Sequence, residues 1–194
     1  MNLFATIASH LFAVDPSLGH VEKSSLSQQT LMELFVEGIT NMDQIYDSTI
    51  DAEDALKWKG IFSNETGEIL KIEWGYRHHS GSVQIQWLPE TLTHLILWGN
   101  KLRGTLDLSA LPPVLKVMNI HSNKFEGTFD LSQLPDSIES VMLSNTGLSG
   151  TLDFGALKPG IRQLYFNNNN FEGSVDFSKL PDSVRLIDVG CTKL

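Results

Sequence analysis

A chain of 194 residues with 41% apolar side chains has material for one sizeable domain or two small ones, with the balance of a globular protein. Asp and Glu outnumber Lys and Arg 23 to 14, and the resulting formal charge of −9 repels phosphate backbones and argues against nucleic-acid binding as the main task. The single cysteine, Cys191, excludes an intrachain disulfide and favours a reducing compartment, so a cytoplasmic location is expected.

No run approaches the roughly 20 apolar residues that span a bilayer, so no transmembrane segment is expected. LFATIASHLFAV (3–14) reads as a helix packed on the start of the fold. As a secretory leader, the second reading, it lacks a preceding basic side chain, contains His10 and has no small-x-small cleavage site behind it. The sequon Asn64-Glu65-Thr66 bears only on that second reading. SSLSQQTLMELFVEGITN (24–41) carries Leu31, Leu34, Phe35, Val36 and Ile39 behind Ser27, the pattern of a capped amphipathic helix. Residues 1–64 thus form an expected helical N-terminal cap region.

From residue 65 onward the chain repeats. Four units of 23 residues follow without insertion, at 88–110, 111–133, 134–156 and 157–179, with a degenerate unit at 65–87 before them and a partial one at 180–194 after. Leu92, Leu115, Ile138, Ile161 and Val184 make one apolar column. Leu95, Met118, Val141, Leu164 and Ile187 make the next, and Leu97, Ile120, Leu143, Phe166 and Val189 the third. Asn100, Asn123, Thr146, Asn169 and Thr192 follow, then Leu102, Phe125, Leu148, Phe171 and Leu194. The LxL alternation points two residues inward and one outward, as on a strand whose inner face is buried only by stacking on its neighbours. An inward amide satisfies backbone groups freed where each strand ends, so the Asn positions should form a ladder, looser at Thr146 and Thr192. Trp74 falls in the inward column of Leu97 and is expected in the core; Trp87 is expected to pack under the cap.

Written out as LxxLxLxxNxLxG, the unit resembles the leucine-rich repeat family. The resemblance implies an α/β repeat solenoid: a curved, right-handed coil with a parallel β-sheet on its concave side, few or no convex helices and a helical N-terminal cap. The units are closest to the plant-type class with GxIP, carrying GxLD instead, and similar GxLDL repeats occur in protist proteins. Trp58, Gly60 and Ile61 are similar to the WxGV-like segment of the plant-type cap, without that family's flanking cysteines.

The string GTLDLSALP (104–112) returns as GTFDLSQLP (127–135), GTLDFGALK (150–158) and GSVDFSKLP (173–181). Leu106 and Leu108 read as inward residues of a second short strand with Asp107 facing out, and Asp130, Asp153 and Asp176 are its equivalents. Carboxylates stacked at about 4.8 Å repel one another by roughly 0.9 kcal/mol per pair in water. An Asx-type turn, with each Asp accepting from the backbone N–H two residues on, offsets this better than a bound calcium, because no single compact site is formed.

Function in such a solenoid lies on the outward residues of the concave strands. His94, Ile96, Trp98, Asn119, His121, Met142, Ser144, Tyr165 and Asn167 form a nearly uncharged, aromatic-bearing face, and they are the expected contacts to a protein or peptide partner. No GxSxG, P-loop, HExxH or GxGxxG is present. His94 and His121, with Glu73, His78 and His79 one unit back, are the nearest approach to a metal set, but they occupy different columns and loops. Neither an enzyme, a cofactor nor a metal is expected. A second reading makes the chain a structural subunit docked through its N-terminal helices or through the edge at Leu194, where a homodimer could also form. A third makes it a secreted or surface ectodomain, with a cleaved leader and a glycan at Asn64.

Overall fold

The computed structural model describes residues 22–46 and 52–194; the expected helix at 3–14 lies outside the described residues. Helix α1 spans Gln28–Val36, and the Ser27 side chain caps it by accepting from Thr30 N at 3.1 Å. Its apolar face buries Leu31, Met32, Leu34, Phe35 and Val36. Gln28 ties its start to the solenoid, since Nε2 donates to Gly67 O (2.9 Å) and Oε1 accepts from Ile69 N (2.8 Å). At the other end Phe35 stacks on Trp74, with centroids 5.8 Å apart, and the Phe35 carbonyl accepts from Gln84 N. Trp74 is fully buried, as its column requires. Trp87 ends a 3-10 turn that begins at Ile85 and packs, half-buried, against the core.

Among the described residues the strands run in order β1 (Ile61–Ser63), β2 (Ile69–Glu73), β3 (Ser80–Gly81), β4 (His94–Ile96), β5 (Lys101–Gly104), β6 (Val117–Asn119), β7 (Lys124–Thr128), β8 (Ser140–Met142), β9 (Gly147–Gly150), β10 (Gln163–Tyr165), β11 (Asn170–Phe171) and β12 (Leu186–Asp188). The larger sheet has the order β1-β2-β4-β6-β8-β10-β12. All its pairs are parallel except β1 with β2. Register advances by one repeat per strand, so Lys71 faces His94, which faces Val117, then Ser140, Gln163 and Leu186. Ile72, Leu95, Met118, Val141 and Leu164 are thereby all shielded from solvent. The antiparallel β1 brings the chain into the sheet just before the unit that starts at residue 65. It gives that edge a hairpin cover rather than a purely helical one.

The smaller sheet, β11-β9-β7-β5-β3, corrects the second strand expected at Leu106–Leu108. That strand lies earlier in each unit, at Lys101–Gly104 in the first full repeat. Gly104 has φ +102°, a conformation that ends the strand, and Leu108–Ala110 form a 3-10 turn. Asp107 caps the turn: its Oδ1 accepts from Ser109 N (3.2 Å) and Ser109 Oγ (2.6 Å). Asp130, Asp153 and Asp176 do the same for the N–H groups of Ser132, Gly155 and Ser178 at 2.9–3.0 Å. Hydrogen bonds from Ser132 and Ser178 hold Asp130 and Asp176 below the ordinary carboxylate range. The cap meets this smaller sheet where Ile39 bridges to Gly81, and at Gly81 (φ +98°) a Cβ would lie 2.0 Å from Gly38 O.

The amide ladder joins the two sheets. Asn123 Nδ2 donates to Ile120 O and, across the repeat boundary, to Leu97 O (both 2.9 Å), while its Oδ1 accepts from Leu102 N (3.1 Å). Asn100 and Asn169 repeat the double donation, to Trp74 O and Leu97 O and to Leu143 O and Phe166 O. Thr146 has one hydroxyl proton, which serves Leu143 O (3.0 Å) and Asn169 Oδ1 (2.6 Å) and no carbonyl of the repeat before it. Among the described residues the Thr192 hydroxyl likewise reaches only Val189 O. The residue before each ladder position turns left-handed, with φ between +55° and +69° at Tyr76, Gly99, Ser122, Asn145, Asn168 and Cys191.

Candidate functional site: the concave face

Pleating sends alternate residues of each concave strand outward, and unit-to-unit register sets them in rows about 4.8 Å apart. The central row runs Ile96, Asn119, Met142, Tyr165, Asp188 across β4, β6, β8, β10 and β12. One step further along each strand direction, past its last paired residue, come Trp98, His121, Ser144 and Asn167.

Trp98 does not stand alone. Its indole lies parallel to His121 (5.4 Å, 10°) and against Tyr76 (5.7 Å, 35°) on the other side. It also covers Gly75, where a Cβ would sit 2.2 Å from Trp98 Nε1. Both faces of the ring are therefore taken, and its edge, with an Nε1–H that has no acceptor among the described residues, is what remains. Tyr76, 66% exposed, carries the pile on to His78, whose ring is tilted 52° to it at 5.6 Å.

This aromatic ridge separates two hollows. The larger, of about 350 Å³, has Met142 and Tyr165 from the central row, flanked by Ser144, Asn145 and Asn167, with His121 and Asp188 completing it. The smaller, of about 230 Å³, lies among Phe62, Glu73, Arg77 and Trp98 over Gly60 and Gly75. Five of the nine expected contacts, His121, Met142, Ser144, Tyr165 and Asn167, thus come together in one place, and Trp98 borders the other. His94, Ile96 and Asn119 line neither. Sequence reasoning did not select Asp188, although its outward column was readable, nor Phe62 and Tyr76, which lie outside the repeating columns.

The polar groups of the face are mostly paired. Ser144 Oγ donates to Asn167 Oδ1. Lys71 Nζ lies 2.5 Å from Glu73 Oε2 and over the Phe62 ring at 5.1 Å. His94 Nδ1 pairs with Thr93 Oγ1 (2.8 Å) and His121 Nδ1 with Ser122 Oγ (3.0 Å). Burial pushes both imidazoles below their ordinary pKa, helped at His94 by Lys71 and Lys116, so both are neutral at pH 7. The set of His94, His121, Glu73, His78 and His79 does not assemble: among the described residues no three His, Cys, Asp or Glu side chains are placed to hold a metal ion.

No family model and no curated protein matches this chain. Solved structures do. The BIR2 ectodomain from Arabidopsis thaliana superposes with a TM-score of 0.64 at 18% identity, over 84% of this chain and 94% of that one. The leucine-rich repeat ectodomain of the receptor kinase SOBIR1, also from Arabidopsis, gives 0.60 at 25% identity over 69% and 81%. The fold is a leucine-rich repeat solenoid. The Arabidopsis receptor kinase HAESA, in complex with the peptide hormone IDA and the co-receptor SERK1, shares that solenoid at TM-score 0.59 and 21% identity, over 84% of this chain and 33% of HAESA. Likeness at these identities establishes the architecture; the partner has to be argued from the face itself.

Proposed function

We propose that this leucine-rich repeat chain is a non-catalytic module that binds a protein or peptide across its concave face. The observation that carries the reading is the gathering of Met142, Tyr165, His121, Ser144 and Asn167 around one open hollow beside an aromatic ridge. Tyr and Trp edges with few charges are what interface centres use. The complexes named for HAESA with IDA and SERK1, and for BIR3 with SERK2, support peptide and protein partners for solenoids of this shape. The neighbours are receptor ectodomains, which favours a secreted or surface location over the cytoplasmic one expected from the lone cysteine.

A second reading has one observation behind it. Strand β12 is the edge of the larger sheet among the described residues, Leu186 is 40% exposed there, and Val184, Ile187 and Val189 are only partly covered. Docking through that edge, to another protein or a second copy, would leave the concave face idle.

Affinity enrichment from native lysate separates the two. A folded Trp98→Ala/Tyr165→Ala variant is expected to lose a partner that the wild type retains. Identical partners on both, quantified by mass spectrometry, would move recognition to the edge or to the cap.

A further inference from the structure

We propose that the hollow between Met142, Tyr165 and Asp188 seats a guanidinium, the side chain of an arginine in an extended partner peptide. The inference rests on the concave-face reading and gives its occupant a chemistry.

Asp188 is the carboxylate the hollow leaves unanswered. It forms no ion pair with any described residue, whereas Glu73, which faces Ile96 at the other end of the same row, is neutralised by Lys71. Its orientation is held from below, because Oδ1 accepts from Gly190 N at 2.9 Å. The second carboxylate oxygen is free to take a charged donor. Tyr165 is the register partner of Asp188 across β10 and β12, and Met142 is the register partner of Tyr165. A cation drawn to Asp188 therefore meets an aromatic ring and a polarizable thioether beside it.

Asp188 is the one charged side chain lining the hollow. Ser144 Oγ donates to Asn167 Oδ1, and His121 contributes no positive charge at pH 7. The formal charge of −9 on the whole chain draws basic segments toward it. Guanidinium fits better than ammonium because it is planar, sheds its hydration more readily and offers a fork of donors to a carboxylate while lying against an aromatic face.

The test uses the full chain with two small probes, N-acetyl-arginine amide and its uncharged isostere N-acetyl-citrulline amide, followed by NMR at the Met142 methyl group. The arginine probe is expected to shift that methyl and to bind about tenfold tighter than citrulline, the factor supplied by one charge-assisted hydrogen bond. Asp188→Asn keeps an oxygen to accept from Gly190 N, so the fold is retained, and it is expected to erase the difference between the probes. Equal binding of both probes, a response confined to other methionines, or no response at Met142 up to the solubility of the arginine probe would overturn the proposal. If partner capture still depends on Trp98 and Tyr165 while the arginine probe fails, the surface stands and its occupant changes. If capture is indifferent to those residues, the surface itself is withdrawn.

Discussion

Asn123→Ala is expected to destabilise the protein by about 3 kcal/mol, one of the largest effects open to a single substitution here. The amide serves three buried backbone groups, but they are not equally dependent on it. Leu97 O also accepts from Asn100 Nδ2 and keeps that bond. Ile120 O has no second side-chain donor among the described residues, because Thr146, which stands where the next unit would need an amide, serves Leu143 O and not Ile120 O. Leu102 N loses its acceptor as well. Two buried backbone groups are left unsatisfied at about 1–3 kcal/mol each. Urea denaturation of wild type and variant measures the loss, and an unchanged midpoint would contradict this account of the ladder.

Acidification from pH 6.5 to 4 is expected to remove about 3 kcal/mol of stability through His79 alone. The side chain is wholly buried, its ring edge-on to Trp74 at 5.5 Å, and neither nitrogen has a hydrogen-bond partner among the described residues. Burial above all, then the Arg77 charge, lowers its pKa from 6.5 to about 4, against a smaller opposing pull from Asp43. The sign follows from proton uptake. Between those two values the unfolded chain binds a proton that the folded chain refuses, so stability falls as pH falls, by about 1.4 kcal/mol per unit. Above pH 6.5 both states are neutral at this position and the effect vanishes. His79→Phe keeps a ring against Trp74 and is expected to flatten that part of the profile without loss at pH 7, since two unpartnered polar atoms are removed. Asp130 and Asp176, whose pKa values are lowered from 3.8, add their own loss at still lower pH, so the two windows separate. A wild-type profile that is flat between pH 7 and 4.5 would contradict the burial of His79.

The solenoid was legible because its defining signal is repetition. The columns at Leu92, Leu95 and Leu97 and their successors are forced inward by pleating, and the buried core follows them from unit to unit. Ser27 marked the start of α1 because a hydroxyl before an apolar periodic run has an unsatisfied helix N–H to answer. The second sheet was misplaced because alternation of apolar residues does not distinguish a strand from a glycine-broken turn. In GTLDLSALP the Asp107 turn was read from the sequence, but not that this turn and the left-handed Gly104 end the strand before Leu106. Strand β1 was hidden because Ile61–Ser63 precede the repeat and pair antiparallel, out of its register.

The concave face was legible in its rows and less so in its contacts. Register alone set Met142 beside Tyr165 and Tyr165 beside Asp188. That Trp98 would be flanked on both sides was not readable, because Tyr76 reaches it from a left-handed turn in the degenerate unit and Gly75 clears the space beneath it. The left-handed column itself carried a faint signal in Gly99, Asn145 and Asn168, residue types that tolerate positive φ, and Tyr76, Ser122 and Cys191 obscured it.

Site-specific photocrosslinking reads the central claim most directly. A benzophenone amino acid is placed at Tyr165, in the larger hollow, or at Ser132, exposed on the turn that Asp130 caps. Recognition on the concave face is expected to give a discrete crosslinked partner from position 165 and none of it from position 132. The same adduct from both positions, or from position 132 alone, would contradict a concave binding site.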